Sequence, residues 1–239
     1  MCEWQKGARL NPNMYNGNIP TPQEASTSME TQTDFRYQPT YNIAEAARYL
    51  RVAPATLHSW NERAWKRPAL LSFMNLVEAH LLRALRTEQG VDVDKLLMSA
   101  KYIGEKRGIN PLWVSNELCK EAGDVLIDTY AGLVKVSATS LIAMRHQFKA
   151  HLAGIDWDEK GTPVRLFPAF AGFSIPGAEN TVVIDPMLCF GSPVLAPSCV
   201  STAVIAARVD AGETMAELAL DYDLHMRDIE AAVLFERVV

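Results

Sequence analysis

The stretch YNIAEAARYLRVAPATLHSW, residues 41–60, predicts two short helices joined by a tight turn. The first helix, over residues 43–50, has one apolar face because its nonpolar residues recur at i, i+3, i+4 and i+7: Ile43, Ala46, Ala47 and Leu50. Ala46 and Ala47 are small, so a second helix can cross closely there. Pro54 suits the first position of that second helix, where its missing N–H costs no hydrogen bond.

The second helix would point Leu57 and Trp60 inward and leave polar residues outward, which is typical of a helix-turn-helix that places its second helix in the major groove of DNA. An ordinary helical hairpin with a solvated face is the alternative. If DNA binds, the base edges would be contacted by Thr56, His58, Ser59 and Asn61. The phosphates would be contacted by Arg48, Arg51, Arg63, Lys66 and Arg67.

Two usual landmarks of such a motif are missing. Arg51 stands in the turn, where glycine most easily adopts a left-handed conformation. Ala53 stands at the start of the second helix, where a serine or threonine usually caps the backbone. His58 and Ser59 also read bases less strongly than arginine does. The sequence therefore predicts phosphate contacts more firmly than base-specific ones.

Charge is distributed unevenly along the 239 residues, whose formal net charge is −5. Residues 41–110 hold 11 Lys or Arg and 7 Asp or Glu, a local charge of +4. Residues 155–239 hold 5 and 13, a local charge of −8. The basic part can bind phosphates, whereas the acidic part must serve another purpose.

Several classes of function have no support in the sequence. We expect no enzyme, cofactor or metal site, because the grouped carboxylates fall at helix ends and hairpin tips and no phosphate loop or nucleophile motif occurs. His146 and His151 are five residues apart and do not share a helix face. The four cysteines are scattered without a CxxC pair, so we expect reduced thiols. The N-terminal residues contain no apolar run of the kind that a signal peptide needs, so we expect a cytoplasmic protein.

The pattern predicts a mostly α-helical α+β protein with a small β-hairpin-containing middle region. Its expected segments are an arm (1–40), a helix-turn-helix domain (41–110), an α/β connecting region (111–175) and a helical domain (176–239). The arm lacks any period, and we expect it to wrap a dimer partner through its apolar residues: Trp4, Met14, Tyr15, Ile19, Phe35 and Tyr37.

Further elements follow from apolar periodicity, glycine and proline. Helices are expected over residues 70–86, 93–106, 110–120, 139–152, 202–211, 214–222 and 226–238. Hairpins are expected from strands 124–128 with 133–137 and 155–157 with 163–167. A linker is expected over 169–178 and a strand over 182–186.

The last two helices, with the turn Asp223-Leu224-His225, again have the shape of a helix-turn-helix. Their surface is acidic, through Glu213, Glu217 and Asp221 among others, so DNA phosphates would be repelled. We therefore expect a protein–protein module, which could contact a second subunit or another partner.

The C-terminal segment resembles a small bacterial homeodomain-like family catalogued as a domain of unknown function. The matching residues are Ile184-Asp185-Pro186, Gly191-Ser192-Pro193, Ala211-Gly212-Glu213-Thr214, Glu217-Leu218-Ala219 and Asp221-Tyr222. A basic G-T-R-like segment of that family is replaced here by Ala196-Pro197-Ser198-Cys199. The N-terminal segment resembles the MerR-type helix-turn-helix, and the combination resembles a VapB-type antitoxin of a type II toxin–antitoxin pair.

The resemblance implies a homodimeric repressor that binds double-stranded operator DNA and neutralises a PIN-domain ribonuclease toxin. One alternative is a MerR-type transcriptional regulator that responds to a small ligand. The chain after residue 110 lacks the long heptad helix for coiled-coil dimerisation, which speaks against that alternative. The other alternative is a protein-binding adaptor that uses both helical hairpins for partners.

Overall fold

The computed structural model describes residues 34–65, 68–86, 95, 127–132, 138–168 and 180–237. The α-helices that we number are α1 (Ile43–Leu50), α2 (Pro54–Ala64), α3 (Phe73–Arg86), α4 (Ala138–Leu152), α5 (Thr202–Asp210), α6 (Met215–Asp221) and α7 (Met226–Arg237). The strands are β1 (Ile155–Trp157), β2 (Pro163–Leu166), β3 (Val182–Val183) and β4 (Val194–Leu195). Short 3-10 helices cover Phe35–Tyr37 and Cys189–Gly191. The predicted fold class, α+β and mostly helical, is confirmed.

The N-terminal helices begin where side chains can satisfy the free backbone N–H groups. Asn42 caps α1 through a capping box, in which its side chain accepts from the Glu45 N–H and Glu45 accepts from the Asn42 N–H. The apolar face of α1 is buried as predicted, with Ala46, Ala47 and Leu50 almost fully enclosed. Tyr41 pairs with Leu71 through backbone hydrogen bonds, which fixes α1 beside the start of α3.

Helix α3 lies at the centre of the core and packs against α1 and α4. Its buried side chains include Leu76, Val77, Leu81 and Leu82, as the apolar run over 70–86 predicts. Two histidines are buried where α3 meets α4. The His80 and His151 rings lie 4.8 Å apart, and burial holds the pKa of His80 well below its usual value.

Two small antiparallel sheets connect the helices. Strands β1 and β2 form the predicted hairpin, and Asp158 closes its tip by accepting from the N–H groups of Lys160 and Thr162. Strands β3 and β4 form the second sheet. Leu166 of β2 exchanges backbone hydrogen bonds with Ile184, which joins the hairpin to the C-terminal part of the chain.

The C-terminal helices α5, α6 and α7 pack together, mainly α5 and α6 against α7. Leu218, Ile229 and Ala232 are fully buried between them. Among the described residues, no helix is long and apolar enough to span a lipid bilayer.

The predicted strand over 124–128 is wrong at its last two residues. Residues 127–132 are helical, although Ile127 and Asp128 were expected in a strand. Ile127 and Tyr130 are three apart and both buried, so helical spacing satisfies the apolar residues there. The partner strand over 133–137 lies outside the described residues, as do the linker over 169–178, the helix over 110–120 and, apart from Lys95, the helix over 93–106. Residues 1–33 of the arm also lie outside them, while its expected anchors Phe35 and Tyr37 are exposed.

Candidate nucleic-acid interface

The turn between α1 and α2 contains a left-handed residue at Arg51, with φ 54° and ψ 44°. The Val52 N–H then donates to the Ala47 carbonyl at 3.0 Å, which closes the end of α1. Pro54 begins α2 as predicted, and Ala53 provides no side-chain cap. Leu57 and Trp60 are buried, so α2 lies against the core by the predicted face.

Arg51 is held in its unusual conformation by helix α7. Its guanidinium donates to the Phe235 carbonyl and lies 5.1 Å from the centre of the Phe235 ring. A glycine would adopt the same backbone but could make neither contact. Burial also lowers the pKa of Arg51, although a guanidinium keeps its charge at all ordinary pH values.

Arg48 also has its partner on helix α7. It forms an ion pair with Glu236, which also accepts from the Thr202 hydroxyl. The Tyr49 ring lies beside the Arg48 guanidinium, and its centre is 6.2 Å from that of the Phe235 ring. Two arginines predicted to contact phosphates are therefore already bonded to the end of α7. The local sequence gives no signal for these contacts, because their partners lie more than 180 positions away.

The solvent-facing surface of α2 contains fewer of the predicted residues than expected. His58 and Arg63 are exposed, while Thr56 and Ser59 are half-buried. The Glu62 carboxylate lies 3.9 Å from the His58 ring. This surface can approach a groove with one arginine, one histidine and two hydroxyls. Lys66 and Arg67 lie outside the described residues.

The predicted outward position of Asn61 is wrong. Asn61 is 4% exposed, and its amide donates to the Pro68 carbonyl at 3.1 Å. Its position four residues after the buried Leu57 could have indicated this, since such residues share a helix face. In this structure Asn61 supports the chain that leaves α2 and cannot reach a base edge.

A half-buried carboxyl group joins the end of α2 to α3. The Trp65 indole N–H donates to the half-buried Glu78 carboxylate. Burial raises the pKa of Glu78 to about 7, even though hydrogen bonds from Trp65 and Asn75 act in the opposite direction. This contact fixes where the backbone leaves α2. The sequence analysis did not identify it.

The turn between α6 and α7 repeats the backbone of the first turn. Asp223 is left-handed with φ 53°, and the Leu224 N–H donates to the Ala219 carbonyl at 2.9 Å. Thr214 caps α6 through a capping box with Glu217. The last two helices are therefore joined by a turn with the same backbone as the turn between α1 and α2.

The described residues define a mostly helical α+β protein in which two helix pairs, α1–α2 and α6–α7, share one turn geometry. Residues 182–235 match a family model with the description "Protein of unknown function (DUF433)". This range runs from β3 into α7 and confirms the predicted similarity to a domain of unknown function.

A named protein and a solved structure, both from Mycobacterium tuberculosis, resemble a larger part of the chain. One, from strain H37Rv, has the name "Putative antitoxin VapB45" and is 26% identical over 221 residues, covering 77% of this chain and 88% of that protein. The other is the crystal structure of Rv2018, which superimposes with a TM-score of 0.65 at 25% sequence identity. That similarity covers 83% of this chain and 99% of Rv2018.

Proposed function

We propose that this chain is the antitoxin of a type II toxin–antitoxin pair. The observation that carries the proposal is the 26% identity to a protein named as an antitoxin. The similarity covers 77% of this chain and so reaches well beyond the segment 182–235. In this proposal a PIN-domain ribonuclease is the toxin, and the complex acts in the cytoplasm.

The chain would also bind operator DNA and repress its own operon. The α1–α2 turn supports this part of the proposal, because its left-handed residue and its buried α2 face have helix-turn-helix geometry. One α2 helix offers only a few cationic groups. A homodimer on a pseudo-palindromic operator would double them, with half-sites about 34 Å apart or a multiple of that distance.

Co-expression with the protein encoded beside this chain's gene tests the antitoxin role. If that neighbour is a PIN-domain ribonuclease, we expect it to stop growth alone, and we expect this chain to restore growth and to co-purify with it. Growth arrest that persists, with no complex isolated, would contradict the proposal. A small-ligand regulator or an adaptor would then be the better explanation.

Replacement of Arg63 by glutamate tests the DNA-binding surface. Arg63 is exposed on α2, so Arg63→Glu leaves the core intact. We expect binding to the promoter of the chain's own operon to weaken at least about tenfold, and wild-type binding to fall steeply between roughly 50 and 200 mM salt. Fluorescence anisotropy with promoter and scrambled duplexes measures both effects.

Lys149→Glu is the matched control, because Lys149 is an exposed cation on α4, far from α2 in sequence and on another helix. It makes the same change in net charge. Equal losses in the two variants would show that net charge alone governs binding. Unchanged affinity in Arg63→Glu would place the DNA site elsewhere.

A further inference from the structure

Helix α6 exposes a leucine that a solvated surface does not need. Leu218 faces the core, while the opposite face carries residues at i, i+1, i+4 and i+5 that are all exposed: Ala216, Glu217, Leu220 and Asp221. We call these four residues the α6 surface. Leu220 is 83% exposed, and the charged residues Glu217 and Asp221 lie on the same surface. Covering such a side chain would stabilise a complex, because it removes apolar area from water.

Hydrogen bonds and ion pairs hold both ends of the α6 surface. The Thr214–Glu217 capping box fixes its first turn. Arg208 fixes its last turn by pairing with both Glu213 and Asp221, and its guanidinium lies 5.2 Å from the centre of the Tyr222 ring. A surface that is already ordered loses little conformational entropy when a partner binds. These interactions therefore prepare Leu220 for a partner.

Charge determines what kind of partner fits. Residues 208–237 contain eight carboxylates and three arginines, a formal charge of −5. Arg208 is occupied by Glu213 and Asp221, and Arg237 is paired with Asp210. Hydrogen bonds from Thr214 lower the pKa of Glu217, which keeps this carboxylate charged. DNA would be repelled here, whereas a protein surface rich in lysine and arginine would be attracted.

We infer that the α6 surface binds the toxin on the positively charged face with which a ribonuclease holds RNA phosphates, with Leu220 as the apolar anchor. A protein that acts on RNA must present such a basic face. An acidic surface with a central leucine complements it in charge and excludes RNA while bound. This inference rests on the proposed antitoxin function and adds to it the site of contact.

Leu220→Arg tests the inference, because it removes the anchor and adds a repelling charge at a position that the core does not use. We expect the Kd for the purified PIN-domain neighbour to rise at least tenfold. Ile142→Arg is the matched control, since Ile142 is 70% exposed on α4, and its Kd should stay within twofold. Glu217→Gln keeps the capping box and removes one charge, so its Kd should rise by a smaller factor.

A single-stranded RNA oligonucleotide gives the second measurement. It should compete with the wild-type chain for the toxin, in proportion to its own affinity. If wild-type chain binds no neighbour at all, the antitoxin proposal fails first. If it binds, but Leu220→Arg equals Ile142→Arg or RNA does not compete, the antitoxin role stands and this inference is overturned. It is also overturned if Leu220→Arg only dissociates an oligomer of the free chain.

Discussion

Arg51 occupies a backbone conformation that glycine adopts at the lowest cost, and its side chain explains why a larger residue is present. The left-handed conformation costs a non-glycine residue about 1 kcal/mol, and a glycine costs a similar amount in chain entropy. Backbone effects therefore nearly cancel. What distinguishes the arginine is its hydrogen bond to the Phe235 carbonyl and its contact with the Phe235 ring.

We predict that Arg51→Gly destabilises the protein by roughly 1.5–3 kcal/mol, the range for a hydrogen bond to a charged group. Asp223→Gly is the control, because Asp223 has the same left-handed backbone and is exposed. That variant should change the free energy of unfolding by less than about 0.5 kcal/mol. Urea denaturation measures both. Similar values for the two variants would show that the Arg51 side chain contributes no stability.

Glu78 makes stability depend on pH in a direction that is unusual for a carboxylate. Its pKa is about 7 in the fold against 4.5 for the unfolded chain. Between pH 4.5 and 7 the folded protein keeps the Glu78 proton, whereas the unfolded chain has released it. The contribution of protonated Glu78 to the free energy of unfolding is therefore complete below pH 4.5 and is lost as the pH rises to 7. We predict that Glu78→Gln removes this loss. Melting temperatures of both proteins from pH 5 to 8 should diverge, and parallel curves would refute the assignment.

At the level of secondary-structure elements, the sequence predicts what local contacts determine. Helix α1 and the β1–β2 hairpin have their predicted bounds to within a residue, because periodicity and turn residues specify them. Strand β4 was not predicted, because its two residues, Val194 and Leu195, are too few to show an alternating pattern. Ile127 and Asp128 were misassigned, because a short aliphatic run fits a strand or a buried helix equally well.

The Tyr41 side chain, just before α1, contacts the loop between β3 and β4. The Tyr41 hydroxyl donates to the Gly191 carbonyl at 3.1 Å. A Cβ on Gly191 would lie 2.2 Å from that hydroxyl, and the residue has φ +76°. Only glycine satisfies both restrictions here.

We predict that Gly191→Ala destabilises the protein by about 2–3 kcal/mol through overlap and strain. Gly212→Ala isolates the strain, because Gly212 has φ +101° with nothing within 4 Å of its Cβ position. It should cost about 1 kcal/mol, because its φ lies well beyond the left-handed values near +54° at which Arg51 and Asp223 nearly balance strain against chain entropy. Tyr41→Phe should partly rescue Gly191→Ala, since it removes the overlapping oxygen. Thermal unfolding of the single and double variants measures the coupling, and additive losses would contradict it.

At the level of the whole molecule, the pair of helices α1 and α2 was predicted in outline, while the surroundings of its side chains were not. The two helices and their short turn follow from the spacing of apolar residues near position 50, which is local information. The loss of Asn61 from the exposed face follows from its bond to Pro68. The pairing of Arg48 and Arg51 with α7 depends on contacts across most of the chain, which no local pattern records.

Arg48 and Arg51, which flank the turn between α1 and α2, are bonded to the end of α7. The proposed binding of DNA at α2 and of the toxin at the C-terminal helices would therefore be coupled. A partner that shifts α7 also moves Phe235 and Glu236, which bond to Arg51 and Arg48. Such a shift changes the free energy of the turn between α1 and α2. By linkage, a partner on the C-terminal helices that alters operator affinity by some factor must have its own affinity altered by DNA by the same factor. Operator occupancy would thereby report how much toxin is bound.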